Sequence, residues 1–165
     1  MHAVGLTDVG RVRSINQDSF HLIKEKNISI VADGMGGHAA GDQASKIAVK
    51  TITEILDAYD FNEEDGESGM SVEELVRYAL QEANEQILLA SLSNQHLQGM
   101  GTTAIVAVEN KGKLFLVASV FPPRLCFRNH VGLKVAFIPF VFPKFFRLCF
   151  FGCPAPLFFS DPFGV

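Results

Sequence analysis

Residues 28–38 read Ile28-Ser29-Ile30-Val31-Ala32-Asp33-Gly34-Met35-Gly36-Gly37-His38, and this stretch decides both the fold and the candidate site. The apolar run at its start predicts a buried β-strand that breaks at Asp33. A strand holds a carboxylate rigidly, while the glycines after it let main-chain carbonyls and a bulky anion approach without a clash with a Cβ atom. Mg2+ and Mn2+ prefer such oxygen donors. The stretch therefore predicts a metal site at a strand end.

A second polar cluster lies upstream, between Thr7 and Phe20, and contains Arg13 and Asp18. A guanidinium group binds phosphate bidentately, so an arginine, a carboxylate and a glycine turn in one short segment indicate phosphoryl chemistry on a metal. Each residue taken alone has an ordinary alternative. Arg13 is then a solvated surface side chain, Asp18 a turn former and His38 a loop histidine.

Three motifs follow one another along the chain: Gly10-Arg11-Val12-Arg13-x-x-Asn16-Gln17-Asp18, Val31-Ala32-Asp33-Gly34-Met35-Gly36-Gly37-His38 and Gly101-Thr102-Thr103-Ala104. Together they resemble the bacterial branch of the metal-dependent protein phosphatase 2C family, over about residues 2–120. The resemblance implies an α+β fold in which two antiparallel sheets pack between helices, here incomplete. Thr102 and Thr103 taken alone are interpreted as ordinary strand residues.

The resemblance also assigns roles to individual residues. In that family the aspartate matching Asp33 bridges two Mn2+ or Mg2+ ions, and the carbonyl matching Gly34 is a further ligand. Arg13 would bind the phosphoryl oxygens, and Asp18 would hold water in the outer shell of the metals. His38 is the candidate acid that protonates the departing seryl or threonyl oxygen. Gln17 stands where many relatives have glutamate, which predicts a lower metal affinity.

Composition and resemblance together restrict the partners. The formal net charge is −4 and no basic stripe is present, which argues against nucleic acid. The first residues lack a secretion signal and the first 120 residues lack cysteine, so we expect a cytoplasmic protein. Charges and prolines interrupt the apolar C-terminal part, so no membrane span is expected. The resemblance implies a monomer that acts on phosphorylated Ser/Thr proteins, the substrates of a bacterial serine/threonine kinase.

The composition changes after Val120. All seven prolines, all three cysteines and twelve of the fifteen phenylalanines follow it, whereas Asp161 is the only acidic residue there. Residues 121–165 show neither strand alternation nor helical spacing. We interpret them as an aberrant tail from a shifted reading frame, not a domain; a genuine apolar tail is the alternative. We expect the tail to be unpacked and to leave the preceding strand as an exposed edge.

The tail also bears on activity. The family completes its metal site with aspartates from its second half, and beyond Glu109 this chain has only Asp161. We therefore expect a truncated, inactive form of a phosphatase. A non-catalytic fragment that acts as a binding module is the alternative. A dinucleotide-binding protein is a remote alternative, because Gly34-x-Gly36-x-x-Ala39 resembles the glycine fingerprint of such proteins. The acidic residue expected about twenty positions later, Glu54, would however fall inside a helix instead of at the end of a second strand.

The sequence pattern places these motifs on secondary structure. It predicts strands near residues 2–7, 18–23 and 28–32, a helix over 43–57 capped by Asp42, a loop over 60–69, a helix over 71–92 and a hairpin of 104–108 with 114–118. Ser71 and Glu74 predict a capping box for the second helix. That helix has an apolar stripe consisting of Val72, Leu75, Val76, Ala79, Leu80, Ala83 and Ile87, which predicts a buried face.

Overall fold

Apolar alternation in the strands and apolar stripes on the helices produce one sheet covered by helices. The computed structural model describes residues 3–36, 40–61 and 69–121 in full, and the backbone of residues 134–139. The elements in chain order are β1 (Asp18–Ile23), β2 (Ile28–Met35), α1 (Ala40–Ala58), α2 (Val72–Ser93), β3 (Gly101–Asn110), β4 (Lys113–Phe121) and β5 (Lys134–Pro139), with short 3-10 helices at Lys24–Lys26 and Gln95–Leu97. The predicted α+β fold class is confirmed.

The sheet follows chain order, β1-β2-β3-β4-β5, and every neighbouring pair is antiparallel. The predicted β3–β4 hairpin is confirmed, and its strands are longer than expected. Its turn residues, Lys111 and Gly112, have φ values of 49° and 73°, as a two-residue type I′ turn requires. A parallel β-α-β unit, which a dinucleotide-binding fold needs, does not occur among the strands described here, so that alternative is wrong.

The core lies between one face of the sheet and the two helices. Helix α1 packs directly on β1, β2 and β3, and α2 packs on α1 and reaches β3 and β4. Fully buried core side chains come from all of these layers: Ile30, Ala32, Val106 and Val117 from the sheet, Ala44, Ala48, Ile52 and Leu56 from α1, and Val76, Ala79, Leu80 and Ala83 from α2. Burial of this apolar area is the main force that orders the sheet.

Helix α2 forms as its sequence predicts. The Glu74 N–H donates to the Ser71 hydroxyl at 3.2 Å, and the Glu74 carboxylate accepts from the Ser71 N–H at 2.9 Å. Two hydrogen bonds from Ser71 lower the pKa of Glu74; the one from its side chain has the larger effect, and the one from its backbone the smaller. The capping box is confirmed. The predicted stripe is also confirmed, because its members from Leu75 to Ile87 are buried and Val72 packs against them.

Two predictions about local structure are wrong. Residues 3–7 form no strand; Val4 and Leu6 are more than nine-tenths exposed and pair with none of the strands that the structure describes. Helix α1 begins at Ala40, so Asp42 lies in its first turn and does not cap it. The Asp42 carboxylate instead pairs with the Lys46 ammonium one turn later, at 2.9 Å.

A further correction concerns the C-terminal part. Residues 134–139 form β5, which pairs with β4 from Lys113 to Ala118. The prediction that no regular strand follows Phe121 is therefore wrong for this segment, and most of β4 is not an exposed edge. The sequence pattern missed β5 because its apolar residues do not alternate with polar ones. No helix within the described part of the chain is long and apolar enough to span a membrane.

Candidate active site

The pairing of β1 with β2 places two aspartates opposite each other. Asp18 and Asp33 are direct partners in the antiparallel register. Side chains alternate across a strand, and the neighbours Ser19 and Ala32 face the helices; the Ser19 hydroxyl contacts that of Ser45 on α1 at 3.0 Å. Both aspartates therefore point to the face of the sheet that the helices leave uncovered.

The two carboxyl groups are close enough for Asp33 to influence the ionisation of Asp18. The pKa of Asp18 is raised first by burial, then by a side-chain hydrogen bond with Asp33, and then by the negative charge of Asp33. The nearby Arg13 guanidinium lowers it. Like charges side by side oppose ionisation, and a cation between them favours it. A hard divalent cation stabilises two carboxylates that lie this close together, because its charge offsets their repulsion.

Gly34 follows Asp33 in a place where no side chain fits. A Cβ atom there would lie 2.0 Å from the Gly41 carbonyl oxygen and 2.6 Å from the Gln17 carbonyl oxygen, because the first turn of α1 packs against β2. The Gly34 N–H donates to that Gln17 oxygen at 3.0 Å. The Gln17 amide side chain donates to the Gly36 carbonyl at 3.3 Å. Gln17 thus connects β1 to the glycine turn as well as replacing an expected glutamate.

Two hydroxyl groups of β3 contact the main chain of Asp33. The Thr102 hydroxyl donates to the Asp33 carbonyl at 2.9 Å, and the Asp33 N–H donates to the Thr103 hydroxyl at 3.3 Å. The residue-by-residue pairing of β2 with β3 covers residues 28–31 and 34–35 and omits Ala32 and Asp33. Thr102 and Thr103 are strand residues, as interpreted, and they also contact the candidate site. Sequence alone could not reveal this, because it depends on the strand register.

Arg13 is exposed and lies in the loop that precedes β1. Side-chain hydrogen bonds organise this loop: the Asp8 carboxylate accepts from the Gly10 N–H at 2.7 Å, and the side-chain amide oxygen of Asn16 accepts from the Asp18 N–H at 3.0 Å. The loop brings Arg13 near enough to act on the Asp18 carboxyl. His38, the candidate acid, lies outside the described residues.

The donors fit a hard cation, although they are few. Asp18, Asp33 and the Gly34 carbonyl offer oxygen donors, whereas Mg2+ requires about six. Among residues 3–36, 40–61 and 69–121, no group of three or more His, Cys, Asp or Glu side chains could hold a metal. An open groove between β1 and α1, which contains Lys46 and Lys50, includes neither aspartate and is not this site. Fold and site define an α+β protein with a small cluster of oxygen donors at the end of a strand.

Comparison with known proteins identifies the family. The profile of the protein phosphatase 2C family matches residues 10–119, so the chain belongs to this family. A serine/threonine phosphatase stp of Listeria welshimeri is 39% identical over 122 residues, which cover 70% of this chain and 46% of the relative. PstP of Mycobacterium tuberculosis is 31% identical over 111 residues, covering 67% of this chain and 20% of that protein.

Solved structures agree with this assignment. Stp1 of Staphylococcus aureus superposes with a TM-score of 0.59 at 26% identity, over 69% of this chain and 44% of that one. The catalytic domain of PstP, solved in complex with two manganese ions, gives a TM-score of 0.57 at 29% identity, over 68% of this chain and 44% of that one. The chain spans about half the length of the Listeria relatives it matches.

Proposed function

We propose that this chain contains the first part of the active site of a metal-dependent protein serine/threonine phosphatase. The supporting observation is the juxtaposition of Asp18 and Asp33 across β1 and β2, beside Gly34 and within reach of the Arg13 charge. Asp33 and the Gly34 carbonyl would hold two Mn2+ or Mg2+ ions, with Asp18 in the outer shell. Bound there, the ions would lower the pKa of a water molecule and supply hydroxide near neutral pH.

The remaining residues act on the phosphate and the leaving group. Arg13 would bind the phosphoryl oxygens bidentately and orient the phosphorus atom. The oxygen of water bonds to phosphorus, and the bond from phosphorus to the seryl or threonyl oxygen breaks. His38 would give its proton to that departing oxygen. The products are inorganic phosphate and the free hydroxyl side chain.

The substrates we propose are phosphoserine and phosphothreonine proteins of the cytoplasm, modified by a bacterial serine/threonine kinase. Support comes from the relatives, which are named serine/threonine phosphatases. An exposed Arg13 beside two exposed aspartates suits a protein surface as substrate better than a deeply buried small molecule. We propose that the protein acts as a monomer.

The chain by itself is proposed to be inactive. The described ligands number too few for an octahedral pair, so we expect weak Mn2+ binding and hydrolysis of p-nitrophenyl phosphate at the background rate. Calorimetry with Mn2+ and a colorimetric assay measure these quantities. Micromolar binding, together with turnover that Asp33→Asn abolishes, would contradict the proposed inactivity.

The roles of Arg13 and His38 require a chain extended to the full length of its relatives. There, Arg13→Ala should chiefly raise KM for a phosphopeptide, whereas His38→Ala should chiefly lower kcat for that substrate. Arg11→Ala is a matched control, since Arg11 is an exposed arginine of the same loop. Nitrophenolate leaves almost without protonation, so His38→Ala should affect p-nitrophenyl phosphate little. Equal slowing of both substrates would show that His38 is not the acid.

We further propose that the residues after Val120 derive from a shifted reading frame. The abrupt change of composition and the end of the family match at residue 119 support this proposal. Sequencing the gene around the codons for Ser119 to Phe121 tests it directly. One corrected base should restore the family's Gly-Asp-Ser-Arg continuation. A coding sequence that reproduces the tail, with no such continuation in another frame, would contradict the proposal.

A further inference from the structure

We propose that the Thr102 hydroxyl is a positioning group for the peptide that joins the two candidate metal ligands, Asp33 and Gly34. This peptide unit contains the carbonyl of Asp33 and the N–H of Gly34. Its orientation fixes ψ of Asp33 and φ of Gly34. Those two angles set the direction of the Asp33 side chain on one side and of the Gly34 carbonyl on the other.

The two neighbouring strands hold this peptide from opposite sides. From β3, the Thr102 hydroxyl donates to the Asp33 carbonyl at 2.9 Å. From the residue before β1, the Gln17 carbonyl accepts from the Gly34 N–H at 3.0 Å. A peptide bonded at both its oxygen and its nitrogen cannot tilt without losing a hydrogen bond. Gly34 has no side chain to restrain it, so these bonds are the local restraint.

Thr102 is suited to this task by its burial. Its side chain is fully buried, and its removal would leave the Asp33 carbonyl without this partner. The hydroxyl also lies 2.8 Å from the Thr103 carbonyl, so its single proton is shared between two acceptors. Thr103 complements it by accepting from the Asp33 N–H at 3.3 Å. The two side chains thus contact Asp33 where the pairing of β2 with β3 omits it.

Native-state hydrogen exchange, followed by NMR on the full chain without metal, tests the positioning role. In Thr102→Val, the Gly34 amide should exchange about tenfold faster relative to the Ile30 amide, which lies inside the same strand and reports global stability. Thr102→Ser keeps the hydroxyl and should keep the ratio within about twofold. Thr53→Val is the matched control, because the Thr53 hydroxyl is buried without a hydrogen-bond partner.

An unchanged ratio of Gly34 to Ile30 exchange in Thr102→Val would overturn the proposal. Thr102→Ala, which also lacks the hydroxyl, provides the same measurement if the valine variant does not accumulate as folded protein. A Thr102→Ser variant that loosens Gly34 as much as valine does would equally overturn it, because packing and not the hydroxyl would then be responsible.

The consequence for metal binding rests on the proposed function and has its own measurement. Titration with Mn2+ should show about tenfold weaker binding in Thr102→Val than in Thr53→Val. Equal binding by those two variants would overturn the positioning role. Equal binding by Asp33→Asn and the parent chain would refute the proposed metal site instead, and the exchange of Gly34 would still report on Thr102.

Discussion

The two ends of β2 are built differently. At its start, Ile28 and Ile30 are buried in the core, and residues 28–31 pair without interruption with β3. At its other end, Asp33 is exposed, the regular pairing is interrupted, and hydroxyl groups and a glycine contact take its place. The first half of β2 thus belongs to the core, and its last residues belong to the candidate active site. The core end is held by apolar area, and the site end by specific polar contacts.

This contrast predicts that changes at the two ends should have different signatures. Substitution at the core end should change the free energy of unfolding and leave metal binding by the folded molecule intact. Removal of a carboxylate at the site end should change metal binding with little loss of stability. Gly34 is the exception, because there the backbone of the site is also a packing contact with α1.

The largest effect is expected for Gly34→Ala. Its Cβ would lie 2.0 Å from a backbone oxygen of Gly41, so the first turn of α1 must move away from β2. We expect the free energy of unfolding to fall by about 3 kcal/mol or more in urea titrations followed by circular dichroism. Gly112→Ala, where nothing lies within 4 Å but φ is +73°, should lose only about 1 kcal/mol. Equal losses would mean that α1 does not press on Gly34.

A smaller loss is expected at the core end. Ile30→Val removes one buried methylene group from a fully buried side chain and should lower the free energy of unfolding by about 1 kcal/mol. The Mn2+ affinity of the folded fraction should equal that of the parent chain. Leu89→Ala, at a side chain that is 59% exposed, should change stability by less than about 0.5 kcal/mol. A change in Mn2+ affinity in Ile30→Val would show that the two ends are coupled.

The same contrast explains what the sequence could and could not predict. Helix α2, the hairpin and the core end of β2 follow from periodicity, capping and turn residues, which are local signals. The opposition of Asp18 and Asp33 depends on register, and motif resemblance indicated only that both belong to one site. The contacts of Thr102 and Gly41 with β2 depend on three-dimensional packing. Local pattern also misplaced Asp42, because α1 begins at Ala40, which is already buried in the core.

At the site end, Asp33→Asn should separate metal binding from stability. Asp33 is exposed, so without metal the free energy of unfolding should change by less than about 1 kcal/mol. At a Mn2+ concentration ten times the dissociation constant, the parent chain should gain about 1.4 kcal/mol and the variant nothing. Glu85→Gln, an exposed carboxylate on α2, should retain the full gain. An Asp33→Asn variant that Mn2+ still stabilises would place the metal elsewhere.

The smallest effect is expected for Asp18→Asn in the presence of a chelator. Burial and the neighbouring Asp33 raise the pKa of Asp18 above the ordinary value of 3.8, so the folded chain binds its proton more tightly than the unfolded chain does. Stability contributed by this group is therefore present at low pH and is lost as the pH rises from 3.8 through the raised pKa. The asparagine of Asp18→Asn does not ionise, so this variant does not lose that stability as the pH rises.

Asp18→Asn should consequently be more stable than the parent chain near neutral pH, by less than about 1 kcal/mol because Asp18 is exposed to solvent. The difference should disappear when urea titrations are repeated below pH 3.8, where the aspartate is protonated in both states. Glu85→Gln should show no such gain. Lower stability of Asp18→Asn at neutral pH would mean that attraction to Arg13 outweighs repulsion from Asp33. The two carboxylates would then lack the unfavourable proximity on which the proposed cation site at this end of β2 rests.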